Sequence, residues 1–145
     1  MRYLLLLFIP LFIIACGKDN LNGKPELTLK YISSTTIDTN QDINLILSLK
    51  DKDGDFLDTL WVTKNTTTCI YSNFVDSSFY NIPSEVPRTR NFDGEINITL
   101  RYAAELRPQC QDVPADTAVF SFWLKDAKGN YSDTVKTPTL IIQNK

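Results

Sequence analysis

The side chains best suited to chemistry in this chain are carboxylates and aromatic rings. Asp51, Asp53 and Asp55 alternate within one short segment, and Asp58 follows closely. Calcium takes six to eight oxygen ligands, and aspartates at alternate positions can supply several of them. The EF-hand template does not fit. It places glycine at position six and glutamate at twelve, whereas counting from Asp51 puts Gly54 at four and Val62 at twelve. The same residues also read as a tight hairpin, with Asp53-Gly54 as a type I′ turn and Lys52 facing Asp55 across it. Calcium at Asp51, Asp53 and Asp55 is thus one expectation, and a turn that needs no ion is the other.

The aromatic residues suggest binding. Trp123 stands between Phe122 and Leu124. If Phe120, Phe122 and Leu124 form the buried side of a strand, Trp123 points outward. An outward tryptophan on a sheet, with Trp61 as a companion, suits stacking on sugar rings or contact with a protein. A second group lies between Phe74 and Gly94, where Phe79, Tyr80, Arg88 and Arg90 accompany Pro83 and Pro87. Aromatics with arginine are the composition enriched at binding hot spots. The segment also reads as a cover strand plus a long connection whose aromatics pack on the domain edge. Trp61, Trp123, Tyr80, Arg88 and Arg90 are therefore the candidate contact residues.

Catalysis is not expected. The chain of 145 residues has no histidine, which removes Ser-His-Asp and Cys-His nucleophile pairs and histidine-ligated zinc. It has no Gly-x-Ser-x-Gly elbow, phosphate loop or dinucleotide fingerprint, and no cofactor is required. A small sandwich also offers little concave volume for a substrate. With 15 basic against 17 acidic residues and a net charge of −2, the chain lacks the basic face of a nucleic-acid binder.

The elements that must carry these residues are strands. Leu27, Leu29 and Tyr31 alternate with Thr28, Lys30 and Ile32, and Ile43, Leu45, Leu47 and Leu49 alternate with Asn44, Ile46, Ser48 and Lys50. The same period of two recurs at Ile96, Ile98, Leu100 and Tyr102, and at Phe120, Phe122 and Leu124. Such alternation marks strands with one buried face. Weaker strands fall at 57–63, 68–74 and 131–142, the last broken by Pro138. Asp53-Gly54, Asp93-Gly94 and Gly129-Asn130 are turn dipeptides between these runs. About seven short strands joined by turns predict an all-β fold, a single β-sandwich of immunoglobulin-like or fibronectin-like topology over 26–145. A small β-barrel is the alternative.

The first residues give an address. Arg2 precedes the apolar run Leu4 to Ile14. As a helix that run would be roughly 16 Å long, against a hydrocarbon core of about 30 Å. It is too short to span and fits the core of a signal peptide. Ile13-Ile14-Ala15-Cys16 resembles the lipobox of bacterial lipoproteins, which has an aliphatic residue three before cysteine and a small one immediately before it. The resemblance implies removal of residues 1–15, a diacylglycerol on Cys16 and acylation (palmitate among the acyl groups) of the new amine. Two or more acyl chains anchor stably where one does not.

With Cys16 lipidated, Cys69 and Cys110 remain as an even pair, expected to form a disulfide outside the cytoplasm; two buried thiols are the alternative. Residues 16–25 read as a polar tether. Lipobox, tether, Asp51-Lys52-Asp53-Gly54-Asp55 and the Lys125–Asn130 hairpin together resemble the small sandwich lipoproteins of Bacteroidota. Thr59, Thr117 and Thr134, each after Asp and before an aliphatic residue, resemble O-glycosylation acceptors of that group. The resemblance implies outer-membrane anchoring and an envelope protein or a glycan as partner. The expected function is a lipid-anchored envelope protein with a binding or structural role. The alternative is a carbohydrate-binding accessory lipoprotein using exposed aromatics.

Overall fold

Alternating apolar residues pair into two open sheets. A computed structural model describes residues 23–66, 68, 75–110 and 112–144. The leader expected at 1–15, Cys16, most of the tether expected at 16–25 and Cys69 lie outside the described residues, as does nearly all of the strand expected at 68–74. The strands are β1 (Glu26–Ile32), β2 (Thr36–Ile37), β3 (Ile43–Asp51), β4 (Phe56–Thr66), β5 (Val75–Asn81), β6 (Phe92–Leu100), β7 (Ala115–Asp126), β8 (Val135–Lys136) and β9 (Leu140–Gln143).

One sheet runs β1-β3-β6. The other runs β2-β9-β7-β4-β5, with β8 also on β7. Every pairing is antiparallel except β2 with β9. Taking β1, β3 and β6 as strands A, B and E, and β4, β7 and β9 as C, F and G, gives an immunoglobulin-like sandwich with β5 beside C. The all-β sandwich expectation holds. The barrel alternative does not, since both sheets are open.

The core lies between the sheets. Leu45, Leu47, Leu60, Leu100, Phe120 and Phe122 are essentially inaccessible to solvent. Each such side chain contributes about 1.5–3 kcal/mol relative to exposure. Tyr31 is an exception to the period of two. A bulge between Leu29 and Tyr31 shifts the register, so Tyr31 turns outward, 51% exposed. One extra residue inverts which face the following side chains occupy.

Two expected turns take other forms. Asp53-Gly54 does not close a hairpin, because β3 and β4 belong to different sheets and residues 52–55 cross between them. A type I′ turn needs positive φ at both central residues, but here Gly54 has φ 69° and Asp53 does not. Asp93-Gly94 is no turn either, since both residues pair with β3, opposite Lys50 and Leu49. Glycine is used there because the Phe92 ring folds over it. A Cβ on Gly94 would stand 2.6 Å from Phe92 Cζ. Gly129-Asn130 does turn, with Gly129 at φ 92°.

Candidate functional site

The outer face of the large sheet carries the strongest feature. Leu60 and Val62 of β4 point into the core, so Trp61 points away and is 41% exposed. By the same parity Trp123 lies outward between buried Phe122 and Leu124, and is half-covered. Register brings the two tryptophans opposite each other across β4 and β7. On the other side Trp61 pairs with Phe79 of β5. Those rings are 5.9 Å apart and tilted by 58°, and Phe79 is 58% exposed. Three aromatic residues thus cross three strands in one row, about 10 Å wide at the usual strand spacing.

A second row runs beside the first. Thr63 pairs with Ser121 on one side and Ser77 on the other, giving hydroxyls two residues along from the rings. Trp123 and exposed Tyr131 line a shallow groove of about 510 Å³ with Thr63, Ser121, Ser132 and Thr134. Lys125 sits over the Tyr131 ring at 5.3 Å. Ser121 and Ser132 are buried, so the surface offers ring faces to apolar C–H groups and, at Thr63, Ser77 and Thr134, hydroxyls to polar substituents.

Tyr80, Arg88 and Arg90 do not join this face. Tyr80 pairs with Leu60 and turns inward, its hydroxyl buried without a hydrogen-bond partner. Burial, with the Glu105 carboxylate beside it, pushes its phenol well above the ordinary value. Arg88 is structural. It donates to Asp58 at 2.5 Å and lies over the Phe56 ring, 3.9 Å from its centre, holding the 82–91 connection to the sandwich. Arg90 is exposed near Asp53. Of the 74–94 segment, the described residues 75–94 form strand β5, that connection and the start of β6.

The aspartates organise the crossing between the sheets. Asp51 is buried, and its Oδ1 accepts the backbone N–H groups of Asp53 and Gly54, both at 3.0 Å. The Lys128 ammonium donates to Asp53 and lies 3.4 Å from Asp55 Oδ2. It takes the place that the sequence reading gave to Lys52. This contact holds the Asp53 carboxyl below its ordinary value and Lys128 above its own. Among the described residues, no three His, Cys, Asp or Glu side chains are grouped as a metal site requires.

At one end of the sandwich, Thr68 and Gln109 converge. Thr117 N donates to Thr68 Oγ1 at 2.8 Å, and Gln109 N donates to Asp116 Oδ2 at 2.9 Å. The chain neighbours of Cys69 and Cys110 are therefore held by consecutive residues of β7. Asn144 further ties the Cys110 carbonyl at 2.6 Å. Of the three glycosylation-like threonines, Thr134 is exposed, Thr59 is half-buried, and Thr117 contacts Thr68.

Tyr131, the hydroxyl row and the place of Phe79 beside Trp61 escape a reading of single residues. Parity along β4 could have flagged Thr63, but cross-strand partners depend on register, which no local pattern encodes.

No protein-family model matches the chain, and no curated protein does. Several solved structures align with it at low similarity. The sporulation control protein Spo0M of Bacillus subtilis aligns at TM-score 0.49 and 7% identity, over 83% of this chain and half of that one. A Niemann-Pick type C2 protein from the Japanese carpenter ant aligns at 0.48 and 10%, over 83% and 96% of the two chains. The CARDB domain of a Pyrococcus furiosus protein, in complex with di-metal ions, aligns at 0.35 and 9%, over 83% and 91%. None of these reaches 0.5, so the sandwich assignment rests on strand order and register.

Proposed function

We propose that this chain is a lipid-anchored cell-envelope binding protein whose contact surface is the outer face of its large sheet, and that the ligand is a carbohydrate. The lipobox-like Ile13–Cys16 supports the anchor, and Cys16 carries the lipid in this reading. The single observation behind the ligand class is the row Trp123–Trp61–Phe79 beside the row Ser121–Thr63–Ser77. Sugars present C–H faces that stack on rings and hydroxyls that bond to serine and threonine. A protein partner would favour a larger apolar patch with arginine anchors, yet Arg88 is engaged elsewhere.

The role is binding rather than catalysis. Trp123, Tyr131, Thr63 and Thr134, with Lys136 beside them, line the groove, a set of groups suited to holding a ligand. The test is a glycan array probed with the purified lipid-free protein and with Trp123→Ala. Saturable binding that weakens in the variant supports the reading. Absence of any glycan ligand, or undiminished binding by the variant, contradicts it.

A further inference from the structure

The sandwich is not closed on one side. β5 ends the large sheet and β6 ends the small one, and the two edges do not pair. Between them lies a cavity of about 310 Å³, more than the fold needs. Protein interiors pack as densely as organic crystals and hold few voids larger than a water. We propose that this inter-sheet cavity binds one small, uncharged, largely apolar molecule.

Its walls set the ligand class. Leu49, Phe56, Leu60, Ile82, Val86 and Ile96 contribute apolar surface. The acidic residue at the lining, Glu95, is already paired with Lys30 at 2.7 Å, and its side chain is 48% exposed. A charged ligand would therefore lose water inside without gaining a counter-charge. Tyr80 also lines the space, and its hydroxyl is buried and unpartnered. The Glu105 carboxylate lies beside that hydroxyl, so the ligand class rests on the apolar lining and not on the phenol. Asn81 and Asn97 also line the space, and like Glu95 they are exposed, whereas the buried residues of the lining are all apolar. An engineered apolar cavity of about 150 Å³ takes benzene, so this one suits roughly a dozen non-hydrogen atoms.

The connection over the cavity is held in place. Ile82 N donates to Asp58 O at 2.6 Å, and Val86 N donates to Pro83 O at 3.1 Å. Arg88 fixes the far end to Asp58 and over Phe56. The space is thereby preformed. It lies behind the large sheet's core face, so this inference stands apart from the carbohydrate reading of the outer face.

The test titrates the protein with 1-aminonaphthalene, an aromatic probe of matching size that is uncharged at neutral pH and whose emission shifts in apolar surroundings. Saturable binding of one probe per chain is expected. Ile96→Trp, which fills the cavity from the edge strand, should weaken it at least tenfold, while Tyr31→Ala on the opposite sheet edge leaves it unchanged. Because Ile96→Trp can misfold, Val86→Phe in the connection serves as a second filler. Amide NMR shifts of the wild-type protein with the probe should cluster at Ile82, Val86 and Ile96. No saturable signal in the wild type, shifts confined to other faces, or full affinity in the folded fillers would overturn the proposal.

Discussion

Trp61 and Trp123 occupy directly opposed positions on β4 and β7, both on the side of the large sheet away from the core. Two tryptophans in register on a solvent face cost the fold apolar exposure that it has the means to avoid, since the same strands bury Leu60, Val62, Phe122 and Leu124 completely or nearly so. Large aromatics left outside in a row are more consistent with a ligand than with packing.

Gly54 is the backbone pivot between the sheets. At φ 69° a Cβ would be strained, and it would stand 2.1 Å from the Thr89 carbonyl oxygen. Gly54→Ala should destabilise the domain by more than about 1 kcal/mol. Thermal denaturation of the variant checks this, and an unchanged midpoint would mean that the connection yields easily.

Arg88 contributes through two contacts, the Asp58 carboxylate and the Phe56 ring. Asp58 is largely exposed, so the ion pair alone is worth little. The stacked cation adds to it, and Arg88→Ala should cost about 1 kcal/mol. Arg88→Lys should recover only part, because lysine lacks the planar group. Denaturant titration of both variants measures the difference.

The Lys128 contact with Asp53 makes a stated pH dependence. Asp53 titrates below its ordinary value of 3.8, with the hydrogen bond from Lys128 as the largest cause. A depressed carboxyl stabilises the fold above the unfolded value, and that contribution disappears as pH falls through the lower folded value. Wild type should therefore melt above Lys128→Met near pH 6, with the gap shrinking as pH falls below the ordinary carboxyl value of 3.8. A gap that stays constant across this range would show that Lys128 acts through packing. Because Lys128 occupies the space between Asp53 and Asp55, melts with calcium and with chelator should coincide.

Thr68 and Gln109 are pinned to neighbouring residues of β7, which supports a Cys69–Cys110 bond. No thiol of the mature protein should then alkylate without reductant. Cys110→Ser should cost about 4 kcal/mol by chain entropy, given the long loop between the two cysteines. Two reactive thiols in the unreduced protein would refute the bond. Independently, Cys16→Ser should leave an uncleaved, unlipidated precursor, and normal acyl labelling of that variant would remove the anchor from the account.

The period-two runs were enough to locate β1, β3, β6 and β7, because a buried sheet face forces that pattern on the chain. They also oriented Trp123 correctly, by parity with Phe122 and Leu124. Turn chemistry was less informative. Asp53-Gly54 and Asp93-Gly94 carry turn residues, yet one crosses between sheets and the other lies inside β6, where Phe92 covers the glycine. Arg88 and Tyr80 looked like contact residues by type, but their roles follow from Asp58, Phe56 and Leu60, which are distant in sequence. The inter-sheet cavity runs against the sequence expectation of little concave volume. It exists because β5 and β6 sit on different sheets, a matter of strand order rather than of composition.

The most direct measurement is the affinity of the lipid-free protein for its strongest glycan-array ligand, compared with that of Trp61→Ala. Trp61 is the centre of the aromatic row, flanked by Trp123 and Phe79. Its loss should weaken binding about tenfold or more, equivalent to about 1.4 kcal/mol, with the melting midpoint nearly unchanged. Equal affinity in a folded Trp61→Ala protein would contradict the account and move the ligand to another face.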